Sequence, residues 1–167
     1  MAPSAENSQP WVFVVVRDPA GRAEIARLTE AAWSGGARAY SQGRLDPALL
    51  ADVERGATGG IAAAPVLVVV GADLNRCHRA TIGSSLFPAI QNLLLAATAC
   101  GLGSALTTLS TGDAAGLSAA VGFPEHVVPV AVVPLGRPER SLGPPRREPV
   151  ETKAHDGRYG TPWPSRP

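Results

Sequence analysis

The sequence predicts a single domain of the α/β or α+β class, because segments typical of strands alternate with segments typical of helices. Short β-branched runs at residues 11–17 and 66–70 have the length and composition of buried strands. Longer segments at 21–33 and 84–99 carry apolar residues at helical spacing or on nearly every side. A chain of 167 residues, 45% of them hydrophobic, is long enough to bury one core, and it contains no internal repeat.

The first half of the chain reads as strand, helix, helix, strand. After the strand at 11–17, the helix at 21–33 is amphipathic and ends at a glycine pair. Asp46 and Pro47 have the order of an N-cap followed by proline at the first helical position, so they predict a short helix. The run at 66–70 is apolar on both faces, which predicts a central strand.

The second half begins with the helix at 84–99, which is apolar almost all round and is therefore expected to be covered on most sides. Its two polar exceptions, Gln91 and Asn92, are expected to be buried and hydrogen-bonded to nearby backbone. Next come a predicted strand at 105–109 and a helix capped by either Thr111 or Asp113.

The last predicted strand covers residues 127–135, and its prolines, Pro129 and Pro134, are expected to restrict it to edge or end positions of the sheet. Beyond it, the composition shifts to proline and arginine with few apolar residues. The sequence therefore predicts a core domain over residues 1–140 and an extended or partly disordered arm of the same domain over 141–167.

Composition and charge argue against several classes of function. The net charge of +1 gives no overall field that would favour nucleic acid or an anionic membrane surface. No apolar run approaches the ~18 to 20 residues of a membrane-spanning helix, since the longest candidates, near 12–16 and 66–71, are strand-sized, and the first residues lack a secretory pattern, so we expect a soluble, cytoplasmic protein. Cys77 and Cys100 are far apart and form no metal-ligand pattern, so both are expected to be ordinary thiols.

No nucleophile elbow, zinc-protease helix or P-loop occurs in the chain. Gly101 and Gly103 begin like a dinucleotide fingerprint, but they follow a helix and lack the third glycine, so they indicate a helix end and a turn. A bound cofactor would have to supply the chemistry.

Four segments together resemble the nitroreductase family. Residues 3–11, Pro-Ser-Ala-Glu-Asn-Ser-Gln-Pro-Trp, match the family motif P-S-x-x-N-x-Q-P-W, and a hydrophobic strand follows. Residues 87–104 resemble the family's central helix and its turn into the next strand. Residues 132–138 resemble its last core strand, and residues 146–150 resemble its basic tail motif. The resemblance covers nearly the whole chain in the expected order.

This resemblance implies an α+β fold in which helices flank a mixed sheet, an intertwined homodimer, and FMN bound between the subunits. It also implies electron transfer from NAD(P)H through the flavin to a small-molecule acceptor, which would be a nitroaromatic, a quinone or a related compound. The residues that the resemblance places at FMN are Ser4, Ala5 and Asn7 near the ring or ribityl chain, Thr107, Thr108 and Leu109 from the other subunit, and Arg146 or Arg147 at the phosphate.

By themselves, these residue types have other interpretations. An arginine pair in a proline-rich tail is more often solvated, and Thr107 and Thr108 fit an ordinary strand. The family motif also begins here at the third residue, so the family's N-terminal helix and arginine segment would precede Met1. Either the gene start lies further upstream, or the protein is a shortened, non-catalytic member that binds flavin weakly or serves as an interaction subunit.

Overall fold

A computed structural model describes residues 2–139, 143 and 147–164 of the chain. Within them, a four-stranded sheet lies between helices, which confirms the α+β class. The strands are β1 (Trp11–Val16), β2 (Val66–Asp73), β3 (Gly103–Ser104) and β4 (Val127–Gly136). The helices are α1 (Pro19–Ala32), α2 (Arg38–Ser41), α3 (Pro47–Arg55), α4 (Ile61–Ala63), α5 (Ile82–Ala99) and α6 (Ala114–Val121).

The strand order is β1-β2-β4-β3, and all three pairings between these strands are antiparallel. The described strands contain no parallel pair. Within them the sheet is therefore antiparallel, whereas a mixed sheet was expected. In the middle of the sheet Val14 lies opposite Val69, which in turn lies opposite Val132. Val69 and Val70 are fully buried, which confirms that the run at 66–70 is a central strand.

The expected edge or end position of β4 is wrong, because β4 lies between β2 and β3. Pro129 is accommodated beside a break in the β2 pairing register between Val70 and Gly71, where a missing N–H is tolerated. On its other side β4 is paired by only the two residues of β3 and an isolated bridge from Thr107 to Val132. Much of that edge therefore makes no strand pairing with the described residues.

Each face of the sheet packs against a different set of helices. Helices α1, α4 and α6 cover the face that we call the α1 face, and α5 lies on the opposite α5 face. The core on the α1 face contains Val16, Ile25, Leu28, Ile61, Leu67, Val69, Leu117 and Val132. The core on the α5 face contains Val68, Val70, Ala72, Leu86, Ile90, Ala131 and Val133.

Local signals set most helix ends. Asp46 caps α3 as predicted, its Oδ1 accepting hydrogen bonds of 3.0 Å from the N–H groups of Ala48 and Leu49. Of the two candidate caps for α6, the structure selects Asp113, whose Oδ1 accepts from the N–H of Gly116 at 2.8 Å. The glycine pair after α1 does not end the helical path, which continues through a wide turn at Trp33–Ala37 into α2.

Helix α5 is less covered than its sequence predicts. Phe87 and Leu95 are 42% and 58% exposed. Gln91 and Asn92 are exposed, so their expected burial is wrong: they lie on the outward side of the helix, away from the sheet. The expectation that no apolar run has the length of a membrane-spanning helix is wrong: by length and composition alone Arg79–Ala99 could cross a membrane, and 28% of its apolar 18-residue window is buried. The described residues therefore leave an apolar side of α5 uncovered.

The predicted strand at 105–109 is also wrong. Regular pairing stops at Ser104, a single bridge follows at Thr107, and a 3-10 turn covers Leu109–Asp113. The hydroxyl of Thr107 accepts a hydrogen bond of 3.2 Å from the N–H of Leu109, a local bond that competes with extended pairing. The segment therefore leaves the sheet and leads into α6.

Candidate functional site

The residues before β1 form a turn with an unusual backbone. Glu6, Asn7 and Gln9 have φ angles of 54°, 53° and 50°, in the left-handed region that non-glycine residues rarely adopt. Asparagine tolerates this conformation, whereas glutamate and glutamine have no such preference. Each such residue costs about 1–3 kcal/mol and persists only where surrounding contacts hold it, a situation common at ligand sites. We call residues 4–10 the N-terminal turn.

Hydrogen bonds within the N-terminal turn and to neighbouring elements hold its conformation. Ser4 Oγ accepts from the N–H of Gln9 at 3.1 Å within the turn. Three bonds reach other elements: the N–H of Ala5 donates to Ser85 Oγ at 3.1 Å, the N–H of Asp73 donates to the carbonyl of Pro10 at 2.8 Å, and Arg76 Nε donates to the carbonyl of Ser8 at 3.0 Å. The turn is thereby fastened to α5 and to the end of β2.

Some hydrogen-bond donors of the N-terminal turn are not used by these bonds. Ser4 uses its oxygen as an acceptor, so its hydroxyl proton is available to donate. The Oδ1 of Asn7 accepts from Gln9 Nε2 at 3.4 Å, which leaves the two amide protons of Asn7 available. Ser4 is half-buried and Asn7 is exposed. The turn therefore presents donors to a ligand that lies against it.

Behind the turn lies a polar cavity of about 80 Å³ that Ser8, Arg76 and Cys77 help to line. Ser8 Oγ is buried there and has no hydrogen-bond partner. Burial raises the pKa of the Cys77 thiol, and the nearby Asp73 carboxylate raises it further. Cys77 is thus held in its neutral thiol form, as expected for an ordinary thiol rather than a nucleophile.

Thr107, Thr108 and Leu109 lie at the other edge of the sheet. Thr107 and Leu109 help to line an apolar cavity of about 420 Å³ between this segment and helices α1, α3 and α4. At its base the hydroxyls of the buried Thr29 and Ser110 are hydrogen-bonded to each other at 3.2 Å, which joins α1 to the turn that begins at Leu109. Thr108 is exposed beside this cavity.

A single protomer does not bring the two groups of predicted residues together. Thr107 pairs with β4, and three strand spacings of about 4.8 Å separate its segment from β1, or roughly 14 Å across the sheet. The N-terminal turn precedes β1, the opposite edge strand of the described sheet, and is bonded to Asp73 and Arg76 at the end of β2. Arg147 lies in the arm before the short turn Val150–Thr152, and Arg146 lies outside the described residues. One flavin site built from both groups would require two protomers.

Two residues that support the turn were missed by the sequence reasoning. Ser85 is fully buried in the first turn of the mostly apolar helix α5, and Arg76 reaches the N-terminal turn from the loop after β2. A buried-side serine in an apolar helix was a readable signal, because such a hydroxyl needs a partner. Its partner, Ala5, is 80 residues away in the chain, so no local pattern could identify it.

The fold is a helix-flanked α+β domain. The model of the nitroreductase family matches residues 1–137, and this chain belongs to that family. The resemblance found in the sequence motifs is thereby confirmed.

Two curated relatives carry the name "Putative NADH dehydrogenase/NAD(P)H nitroreductase". The protein from Archaeoglobus fulgidus is 29% identical over 141 residues, which are 83% of this chain and 67% of the relative. The protein from Methanothermobacter thermautotrophicus is 30% identical over 145 residues, 84% of this chain and 62% of the relative. This chain therefore spans about two thirds of the length of these relatives.

Solved structures agree on the fold. The protein of the same name from Bacteroides thetaiotaomicron superposes with a TM-score of 0.68 at 26% identity, covering 95% of this chain and 78% of that one. An iodotyrosine deiodinase whose crystal structure holds FMN and 3-iodo-L-tyrosine also gives a TM-score of 0.68, at 25% identity, covering 96% and 81%. The chain is thus a nitroreductase-family oxidoreductase.

Proposed function

We propose that this protein is an FMN-dependent oxidoreductase that passes electrons from NAD(P)H to a nitroaromatic, quinone or related acceptor, and that it acts as a cytoplasmic homodimer. The family membership, the names of the relatives and the FMN in the structure of one neighbour support this proposal. When bound, FMN supplies the redox chemistry, taking a hydride from the nicotinamide and giving electrons to the acceptor.

The observation that carries the proposal is the strained N-terminal turn. Three consecutive contacts with α5, β2 and the loop after β2 hold an unfavourable backbone within the family's own motif. Such strain is maintained where a fixed set of donors must face a ligand. Flavin carbonyls and ring nitrogens accept hydrogen bonds, so the free protons of Ser4 and Asn7 are of the right type. The residues present therefore fit the cofactor.

We assign the remaining contacts to different parts of the ligand. Thr108, exposed on its edge segment, would donate from its hydroxyl to the flavin ring, while Leu109 and the neighbouring cavity would exclude water from one side of it. A phosphate needs cationic donors, and Arg146 or Arg147 would supply them from the arm. Ala5 would contribute through its position, because its N–H is already bonded to Ser85.

Helix α5 supports the proposed dimer. Its outward side carries Phe87 and Leu95, and on the same face of the sheet Phe13 is 40% exposed. A second copy packed on this face would cover these side chains, as a helix that is apolar on nearly every side requires. It would also supply the second group of flavin contacts, which one protomer holds at its opposite edge.

The deciding experiment is an absorbance titration of the purified protein with FMN, followed by NADH and NADPH oxidation with a quinone and a nitroaromatic acceptor. We expect flavin absorbance to remain with the protein after gel filtration, and nicotinamide oxidation to require both flavin and acceptor. A colourless protein that takes up no FMN would refute the proposal. Flavin uptake without turnover would identify the non-catalytic, flavin-binding alternative instead.

Variants test the phosphate assignment. Replacing both Arg146 and Arg147 by alanine should lower FMN affinity by about tenfold, as expected for loss of a charge-assisted hydrogen bond of about 1.5 kcal/mol. His155→Ala is the matched control, since His155 lies in the same arm and makes an edge-to-face contact with Tyr159. Equal FMN affinity in the two variants would show that the phosphate lies elsewhere.

A further inference from the structure

The α5 face contains a second cavity, of about 430 Å³, at the end of the sheet where β1 and β4 finish. Side chains alternate along a strand, so Val15 and Arg17 point to the same side of the sheet, and so do Leu135 and Arg137. Both arginines and both apolar residues line this cavity. Val66 and Val68 complete its floor, and Leu102, just after α5, forms one wall.

The cavity is open because α5 covers only part of this face. The helix packs over the central strands, where Val70 and Val133 are fully buried, but it leaves Val15 51% and Leu102 37% exposed. A volume of this size lies within the ~300–1,000 Å³ range of small-molecule sites.

The charged residues that line this cavity are all positive. Arg17 and Arg137 are both exposed at its rim, neither forms an ion pair with a described residue, and no acidic residue lines the cavity. The register places Arg17 level with Val66 and Leu135, so about two strand spacings, or roughly 10 Å, separate the two arginine-bearing strands. Two guanidinium groups thus flank an apolar floor.

We propose that this cavity binds an amphiphilic anion, a small molecule with an apolar aromatic or aliphatic body and a carboxylate or sulfonate at one end. The valine and leucine floor would hold the body, and Arg17 and Arg137 would hold the anionic end through charge-assisted hydrogen bonds. None of the described residues assigned to flavin lines this cavity. The proposal therefore goes beyond flavin binding, and it requires that a second copy packed on α5 leaves this end of the sheet open.

Two fluorescent probes with the same apolar body test the charge requirement. One is 1-anilinonaphthalene-8-sulfonate, and the other is N-phenyl-1-naphthylamine, which lacks the sulfonate. Each is titrated into the full-length protein and into the double variant Arg17→Gln, Arg137→Gln. Arg27→Gln serves as the matched control, because Arg27 is an exposed arginine on α1, on the opposite side of the sheet. The titrations are repeated with saturating FMN present.

We expect the double variant to bind the sulfonate probe about tenfold more weakly, as for loss of roughly 1.5 kcal/mol of charged hydrogen bonding. The neutral probe should change by less than about twofold, and Arg27→Gln should leave both unchanged. The proposal is overturned if wild-type protein does not bind the sulfonate probe, if both probes weaken equally, or if the control variant matches the double variant. Displacement by FMN would also overturn it, because the cavity would then belong to the flavin site. Circular dichroism and thermal unfolding of each variant confirm that it is folded.

Discussion

The two faces of the sheet differ in how completely they are covered. On the α1 face, three helices bury their apolar side chains against β1, β2 and β4, and Ile25, Leu28 and Leu117 are 0–3% exposed. On the α5 face, one helix covers the central strands and leaves Phe13, Val15 and Leu95 40–58% exposed.

The contrast suggests a division of roles, in which one face stabilises the fold and the other face contacts other molecules. The closed α1 face holds the fold together within one protomer, because its side chains find their partners in the same chain. The open α5 face carries the apolar side of α5, the strained N-terminal turn fastened to Ser85, and the cavity between Arg17 and Arg137. The features for which we propose a second molecule are thus concentrated on the less completely covered α5 face.

The largest effect is expected from matched truncations of a leucine on each face. Leu117→Ala on α6 should cost about 2–5 kcal/mol of unfolding free energy, because it empties a fully buried site. Leu95→Ala on α5 should cost less than about 0.5 kcal/mol at low protein concentration, as for an exposed site. Its cost should grow with protein concentration if a second copy covers α5. Urea unfolding at several concentrations measures both, and equal costs at low concentration would remove the contrast between the faces.

Next in size is the effect of a charge on the open face. Leu95→Glu should weaken the proposed dimer by about 30-fold or more, because burying an unpaired carboxylate at the centre of an interface costs at least about 2 kcal/mol. Leu49→Glu, at a residue 45% exposed on α3, is the control and should leave assembly unchanged. Sedimentation velocity across a concentration series reports the dissociation constant. If both variants assemble like the wild type, α5 is not the interface.

A smaller effect should follow from releasing the N-terminal turn. Ser85→Ala removes the acceptor of the Ala5 N–H and should cost about 1–2 kcal/mol of stability while raising the FMN dissociation constant several-fold. Ser84→Ala on the same helix is the control, since the exposed Ser84 hydroxyl only donates to the carbonyl of Thr81 at 3.1 Å. Thermal unfolding and flavin titration measure the two effects. Identical flavin affinity in the two variants would show that the bond to Ser85 does not position the turn.

The smallest effect is expected from the ion pair between Arg38 on α2 and Glu54 on α3. The hydrogen bond from Arg38 to Glu54, of 2.8 Å, lowers the pKa of the Glu54 carboxyl. A depressed folded pKa means that the pair stabilises the protein above the unfolded pKa, and that this contribution is lost as the pH falls through the folded pKa. The effect is small because both side chains are exposed. Glu54→Gln and Arg38→Gln should both lower the thermal midpoint slightly at pH 7 and match the wild type at pH 3. A larger difference at pH 3 would contradict the assignment.

Several features of the site were accessible from the sequence, and others were not. The motif at residues 3–11 identified the N-terminal turn because it is a contiguous pattern. The pattern could not reveal that Ser85 and Arg76 hold the turn, because those contacts join residues 80 and 68 positions apart. The segment at 105–109 was predicted as a strand from its composition, but the bond between Thr107 and Leu109 turns it away.

Local chemistry in the sequence determined the central strand at 66–70 and the Asp46 cap of α3. It also determined that α6 ends at Gly122, which adopts the left-handed conformation with a φ of 69°. It also determined that α5 would be apolar almost all round. Only the tertiary structure decided that β4 lies inside the sheet and that α5 is covered on one side. An apolar side chain in the sequence shows that its burial is favourable, but it does not show which element buries it. That element depends on contacts between distant parts of the chain or with another molecule.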